Sequence, residues 1–248
     1  MRNRFDRQLD DLNRNLTEMG SCCEECIGQV AVALSSINEI SRSHESGVTE
    51  RLIEKIYESD AEIDKLERTI ENQCLRLLLE QQPVARDLRY VSAALKMISD
   101  MERIGDQCSD IADIAKYLST ENKGTLESAV HIQDMASATM NMVMRAVDSF
   151  IKRNLEIAKV VEKSDDVVDE LFVKVKEEIA EMISRHPEQG ESLLDLLMVA
   201  KYFERIGDHA TNIAEWVEFS INGERPLKVK YQFDEASQQE IKIDKKTS

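Results

Sequence analysis

"DMERIGDQCSDIA" spans residues 100–112, and its pentapeptide Glu-Arg-Ile-Gly-Asp is spelled a second time within "YFERIGDHATNIAEW" at 202–216. Each copy follows an acid with another acid four residues later, Glu102 with Asp106 and Glu204 with Asp208. Residues four apart stack on one face of an α-helix, so each copy places two carboxylates on a single stripe. A second landmark repeats as well: "SDAEID" at 59–64 returns as "SDDVVD" at 164–169. The offset is 102 residues for the pentapeptide and 105 for the acidic hexapeptide. Such self-similarity marks an internal duplication. The three-residue difference is expected in the turns at Pro83 and Pro187, the breaks that lie between the two landmarks.

Working outward, a helical period of apolar residues runs through the chain and stops where turn residues fall. It predicts helices over 3–40, 48–81, 84–119, 125–155, 157–185 and 190–221. The breaks are "SRSHESG", Pro83, "STENKGT", the middle of "KRNLEI" and "RHPEQG". Each half then holds three helices: an acidic pair on the second, a proline turn, and Glu-Arg-Ile-Gly-Asp on the third. The expected fold is all-α, two tandem pseudo-repeated antiparallel three-helix bundles over 1–121 and 125–223. Residues 224–248 lose the helical period and read as an extended or mobile tail.

Composition agrees with long helices. Charged residues make up 32% of the 248-residue chain and aromatics 5%, with only 8 Gly and 3 Pro. The formal net charge of −16 makes the interaction with a phosphate backbone repulsive, which argues against nucleic acid. No apolar run approaches the roughly 20 residues needed to span a bilayer, and the start lacks the apolar core of a signal peptide. A cytoplasmic location without membrane insertion is expected. Five cysteines include the cluster "CCEEC" at 22–26, which invites a metal or redox reading. Its register argues for a structural one. Phe5, Leu9, Leu12, Leu16, Met19, Cys23, Cys26, Val30, Ala33 and Ile37 alternate at steps of four and three, the seam of a packed helix on which Cys23 and Cys26 act as small hydrophobes.

The acids are not confined to the solvated faces. The second helix carries the stripe Ile53, Ile56, Asp60, Ile63, Glu67, Ile70, Cys74, Leu77, so Asp60 stands where an apolar residue belongs. Asp165 interrupts Val161, Val168, Phe172, Val175, Ile179, Met182 in the same way. On the third helix Leu88, Val91, Leu95, Ile98 leads to Glu102 and then Gly105; Leu193, Leu197, Ala200 leads to Glu204 and then Gly207. Glu102, Asp106 and Asp110 form one acidic ladder, and Glu204, Asp208 and Asn212 form its counterpart. Asp64 and Asp169 extend the ladders on the preceding helices.

Stacked carboxylates repel at their roughly 5–6 Å Cβ spacing, and an unpaired buried charge costs several kcal/mol. Protonation, pairing with Arg103 or Arg205, or a bound cation offsets that cost. Each arginine follows its glutamate directly and points about 100° away round the helix, so it reaches one acid more readily than three. A polyvalent ion held by oxygen ligands from two helices neutralises several acids together, and the glycine between the acids permits close approach. Acids at this spacing are often merely solvated; their recurrence at the same places in both halves favours the ion. A ferritin-like di-iron site needs Glu-x-x-His, which no histidine here supplies. His209 is at most an auxiliary ligand. No phosphate loop, H-E-x-x-H or G-x-S-x-G is present, and nothing positive points to catalysis.

The segment "EQQPVARDLRYVSAALKMISDMERIGDQCSDIAD" and its partner "YFERIGDHATNIAEW" resemble the signatures of the PhoU family of phosphate-signalling accessory proteins. The resemblance covers both halves and leaves out the tail. It implies a cytoplasmic, often dimeric regulator that represses the phosphate-starvation response. It also implies partners, the ATPase subunit of a phosphate ABC transporter and a sensor histidine kinase, with recruitment to the inner face of the membrane. Some relatives bind multinuclear clusters through Glu/Asp-x-x-x-Asp motifs. Carried to matching positions, the ligands are Asp60, Asp64, Glu102, Asp106 and Asp110 in one half and Asp165, Asp169, Glu204, Asp208 and Asn212 in the other. Iron or zinc is expected, with magnesium, manganese and nickel as alternatives. Asn212 in place of an acid makes the second site the weaker one, and "VARDLR" has no counterpart after Pro187. Two other readings stand beside the regulator: a metal-dependent hydrolase with a multinuclear carboxylate site, and a metal-free helical scaffold.

Overall fold

The apolar stripe of the first segment lies, in a computed structural model of the chain, on the buried side of one long helix, with every member from Leu12 to Ile37 in the core. Phe5 and Leu9 pack against that core from its edge. The structure describes residues 2–43, 48–121, 130–225, 230–234 and 239–243. Its helices are α1 (Arg2–Ser43), α2 (Val48–Gln81), α3 (Ala85–Glu121), α4 (Val130–Ile151), α5 (Leu155–Arg185) and α6 (Gly190–Asn222). The expected breaks at 41–47 and 119–125 fall largely outside the described residues; α1 runs on to Ser43 and α3 to Glu121.

The turns have local causes. Asn154 caps α5, its side chain accepting from the backbone N–H groups of Glu156 and Ile157 at 3.0 and 3.3 Å, which starts the helix two residues ahead of the expected 157. Pro187 opens a single 3-10 turn, Pro187–Gln189, before α6. At Pro83 the flanking Gln82 and Ala85 both take left-handed backbone conformations, with φ of 45° and 49°. At its far end α6 stops at Gly223, with φ 87° and its N–H bonded to the Phe219 carbonyl. Arg225 then folds back, lying 4.2 Å over the Trp216 ring and 2.7 Å from the buried Glu215 carboxylate. Within the tail expected to be extended, β1 (Lys230–Asp234) and β2 (Gln239–Ile243) form an antiparallel hairpin.

One expectation about the turns is corrected. The turn segments are of similar size, three residues at 82–84 and four at 186–189, so they do not hold the three-residue offset. It sits in the helices: Ala85 precedes Glu102 by 17 residues, Gly190 precedes Glu204 by 14, and α3 therefore begins almost one helical turn earlier. The residues of that extra turn are those of "ARD", 85–87.

Helices α1, α2 and α3 pack together, as do α4, α5 and α6, and the two halves meet through α3 against α6 and α1 against α4. The duplicated bundles therefore share one continuous core. α3 and α6 each touch three other helices, and α3 is accordingly apolar on two faces: Val91 and Ile98 on one, Ala93, Met97, Met101 and Ile104 fully buried beside them. Leu88, expected on this seam, is 42% exposed. Burial begins instead at Tyr90, which stacks on Phe150 at 4.4 Å with the Arg153 guanidinium over its other face.

The cysteine register holds. Cys23, Cys26, Cys74 and Cys108 are buried and unbridged, Cys22 is half-buried, and burial pushes the Cys23 thiol well above its ordinary range. Native protein is expected to release one thiol of the five to a disulfide reagent within minutes, that of Cys22. Cys23→Ala and Cys26→Ala should each lower unfolding free energy by about 1 kcal/mol through the small void left, with Cys22→Ala near neutral in denaturant titration.

Candidate functional site

Because α2 and α3 run antiparallel from the Pro83 turn, Asp60 lies opposite Gly105 and Ser109, and Glu67 comes opposite Ser99. Asp60 is half-buried between Ile56 and Ile63, which are fully buried. Its Oδ2 accepts a 2.7 Å hydrogen bond from the Ser109 hydroxyl, while Oδ1 is buried and has no hydrogen-bond partner. A Cβ on Gly105 would sit 2.5 Å from that Oδ1. The glycine of the first copy is thus a steric requirement of the carboxylate. The second copy is looser: a Cβ on Gly207 would meet Asp165 Oδ1 at 3.6 Å, an ordinary contact.

Around Asp60 the other acids gather from both helices. Asp64, Glu102, Asp106 and Asp110 are all half-buried. Burial raises the Asp60 pKa above the usual carboxylate range; the Ser109 bond opposes this and the charges of Asp106, Asp64 and Asp110 add to it. Glu102 is raised by burial and by Asp106, with Glu67 and Asp64 contributing, and Asp110 by burial and by Asp106 and Asp113. Glu67, which interrupts the same α2 stripe, is raised by burial, Glu71 and Asp64. These mutual effects place the acids within electrostatic reach of one another. Among the described residues, however, no three His, Cys, Asp or Glu side chains converge as they stand on a point where an ion would sit.

Their charges are partly met by cations. Arg103 does more than its helical direction suggests: its Nη1 lies 3.0 Å from Asp106 Oδ2 and its Nε 3.5 Å from Glu102 Oε2, so one guanidinium spans two rungs. Arg68 pairs with Asp64 at 3.3 Å. In the second half Lys201 holds Glu204 at 2.5 Å, and burial followed by Glu204, Asp208 and Asp166 raises Asp169. That ladder is more open than the first. Asp165, Glu204 and Asn212 are half-buried, whereas Asp169 and Asp208 are exposed.

The innermost rungs turn elsewhere. The Tyr202 hydroxyl and Arg205, both on α6, lie beside Asp110 and favour its charged form. Asn212 Nδ2 donates to Asp100 Oδ1 at 3.1 Å, and His209 Nδ1 lies 3.0 Å from the same oxygen. Asp100, Ser109 and Tyr202 belong to the site's surroundings without any signal in the helical period, since each acts through a residue distant in sequence.

Comparison with known proteins bears on this arrangement. The PhoU domain profile matches residues 16–115 and again 132–217, one match on each half. The chain belongs to the PhoU family. It is 33% identical over 222 residues to a phosphate-specific transport system accessory protein PhoU homolog of Clostridium acetobutylicum, covering 89% of this chain and 95% of that one. A homolog with the same description from Pseudomonas aeruginosa is 31% identical over 219 residues, covering 88% and 86%. The crystal structure of PhoU from Pseudomonas aeruginosa superposes with a TM-score of 0.78 at 30% identity, covering 89% of this chain and all of that one. A regulatory PhoU structure from Streptococcus pneumoniae, 23% identical with a TM-score of 0.76 over 90% and 99%, shows the same fold. No described helix is long and apolar enough to cross a membrane.

The two glycines give an asymmetric test of one pentapeptide. Gly207→Ala should be neutral or stabilise by up to about 1 kcal/mol through helix propensity. Gly105→Ala should lower stability, because the Asp60 carboxylate must give way. Equal effects in denaturant titration would contradict the difference in spacing. The raised acids give a second test. A carboxyl whose folded pKa lies above its unfolded value binds protons more tightly when folded, so its contribution to stability grows as pH falls through the raised value and levels off below the ordinary carboxylate range. Metal-free protein is expected to melt about 2–5 °C higher near pH 5 than near pH 7.5, with a smaller rise in Asp60→Asn.

Proposed function

We propose that the chain is a non-enzymatic regulator of phosphate uptake and of phosphate-starvation signalling, working from the cytoplasmic face of the membrane. The observation that carries this reading is the match of both halves, over nearly nine-tenths of the chain, to proteins described as phosphate-specific transport system accessory proteins. Its partners are the ATPase subunit of a phosphate ABC transporter and a sensor histidine kinase, which it links as a homodimer to repress the starvation response.

The acidic ladders are proposed to hold divalent or trivalent ions, iron or zinc first. The fit rests on the donor set: oxygen ligands on the facing sides of two helices, a glycine that keeps the backbone clear, and the Asp60 Oδ1 atom buried without a partner. Asp60, Asp64, Glu102 and Asp106 would hold an ion in the first half, and Asp165, Asp169, Glu204 and Asp208 in the second, with Asp110 and Asn212 at the inner ends. Such an ion would supply charge neutralisation and cross-linking of helices. Ser109 already orients Asp60 for it. Glu102 and Asp106 must leave Arg103, and Glu204 must leave Lys201, before those acids can serve as ligands.

Metal analysis of purified protein separates the parts of this proposal. Asp106→Ala and Asp208→Ala should each lose most of the metal at their own half, at least about tenfold in affinity, while Asp134→Ala on the exposed side of α4 retains it. Equal content in all three variants would remove the metal and leave the regulator. Affinity purification from phosphate-replete and phosphate-starved cells should recover the transporter ATPase or the kinase; recovery of neither in both conditions would overturn the regulator itself.

A further inference from the structure

The α3–α6 seam contains two polar contacts that are copies of one another. Residues 100 and 202 match under the same 102-residue offset as residues 110 and 212. The contacts run between them crosswise, Asp110 to Tyr202 and Asn212 to Asp100. A strict duplicate of the first half would carry aspartate at both 202 and 212. Each contact would then set two carboxylates against each other, at 100 and 212 within hydrogen-bonding distance, in surroundings where Asp100 and His209 are only 16% and 19% exposed.

The chain departs from strict duplication at those two places. α3 brings both acceptors, Asp100 and Asp110. α6 brings the donors: the Tyr202 hydroxyl and the Asn212 amide, with His209 on the same Asp100 oxygen and Arg205 near Asp110. We infer that these residues form a complementary lock that docks one half on the other, and that the amide at 212 serves it by donating to Asp100. Two contacts spaced along the helices, the Asn212 amide donating to Asp100 in one and the Tyr202 hydroxyl facing Asp110 in the other, hold α3 and α6 in one register. A slide by one turn would part each donor from its acceptor, setting Asp100 toward Asp208 in one direction and toward Trp216 in the other. The inference stands whether or not the ladders bind metal.

The test uses metal-free full-length protein at neutral pH, in thermal melts of Asn212→Asp, Asp100→Asn, the exchanged pair Asp100→Asn with Asn212→Asp, and Asp208→Asn with Asn212→Asp. Asn212→Asp alone should melt about 5 °C lower, having exchanged a charge-assisted bond for a like-charge contact. The exchanged pair should recover most of that loss, since an amide at position 100 then donates to a carboxylate at position 212. Neutralising Asp208, which lies four residues before 212 on the same helix, should recover little. If Asn212→Asp does not fold, the exchanged pair is still expected to. The lock is overturned if Asn212→Asp melts within about 1 °C of the parent, if the exchanged pair is no better than the single variant, or if Asp208→Asn rescues as well as Asp100→Asn.

Discussion

Helices α3 and α6 lie where the two halves meet, each packed on the other and on two helices of its own half, and the half-buried acids of the first site line α3 beside that packing. Glu102, Asp106 and Asp110 lie on one side of α3, with Val91, Ala94, Met97, Met101 and Ile104 in the core on others. An acid on that side is partly desolvated by the flanking helix, so its neighbours' charges are felt more strongly than on an open surface. The same packing explains why a glycine lies there. With α2 packed close enough for Asp60 to reach the α3 backbone, a side chain at 105 and a carboxylate at 60 compete for one space.

The half-buried acids are not left bare. Arg103 spans Glu102 and Asp106, Arg68 meets Asp64, and Ser109 meets one oxygen of Asp60. These pairs are solvent-exposed on the cation side, with Arg103 and Arg68 at 59% and 73%, so each is worth only a fraction of a kcal/mol to about one. They stabilise the acids without filling the second oxygen of Asp60. The arrangement suits groups that must exchange one positive partner for another, since weak exposed pairs are easily given up.

Much of this was legible from the residues. The α1 seam predicted its buried side from Leu12 to Ile37, and the doubled pentapeptide predicted two three-helix halves, because helical period and repetition are local properties of sequence. The interruption of apolar stripes by Asp60, Asp165, Glu102 and Glu204 located half-buried acids for the same reason. What the period does not encode is the neighbour beyond the half. α3 carries apolar residues on two faces, and only its packing on α6 shows what the second face is for. Tyr202, Asp100 and Ser109 enter the site from elsewhere in the chain, and the span of Arg103 across two rungs depends on a rotamer. Asp169 and Asp208, in register with their counterparts, are exposed where Asp64 and Asp106 are half-buried, a difference the period does not carry.

The added turn at the start of α3 gives the molecule a direction. Under an exact duplication the two proline ends would be interchangeable, and a partner fitting one would fit the other equally. The first half instead overhangs: Leu79 at 79%, Val84 at 76% and Leu88 at 42% exposure crown a turn held by two left-handed residues, whereas the second half ends in a plain 3-10 corner. Two halves of one plan with unequal tips give the helical core a front and a back.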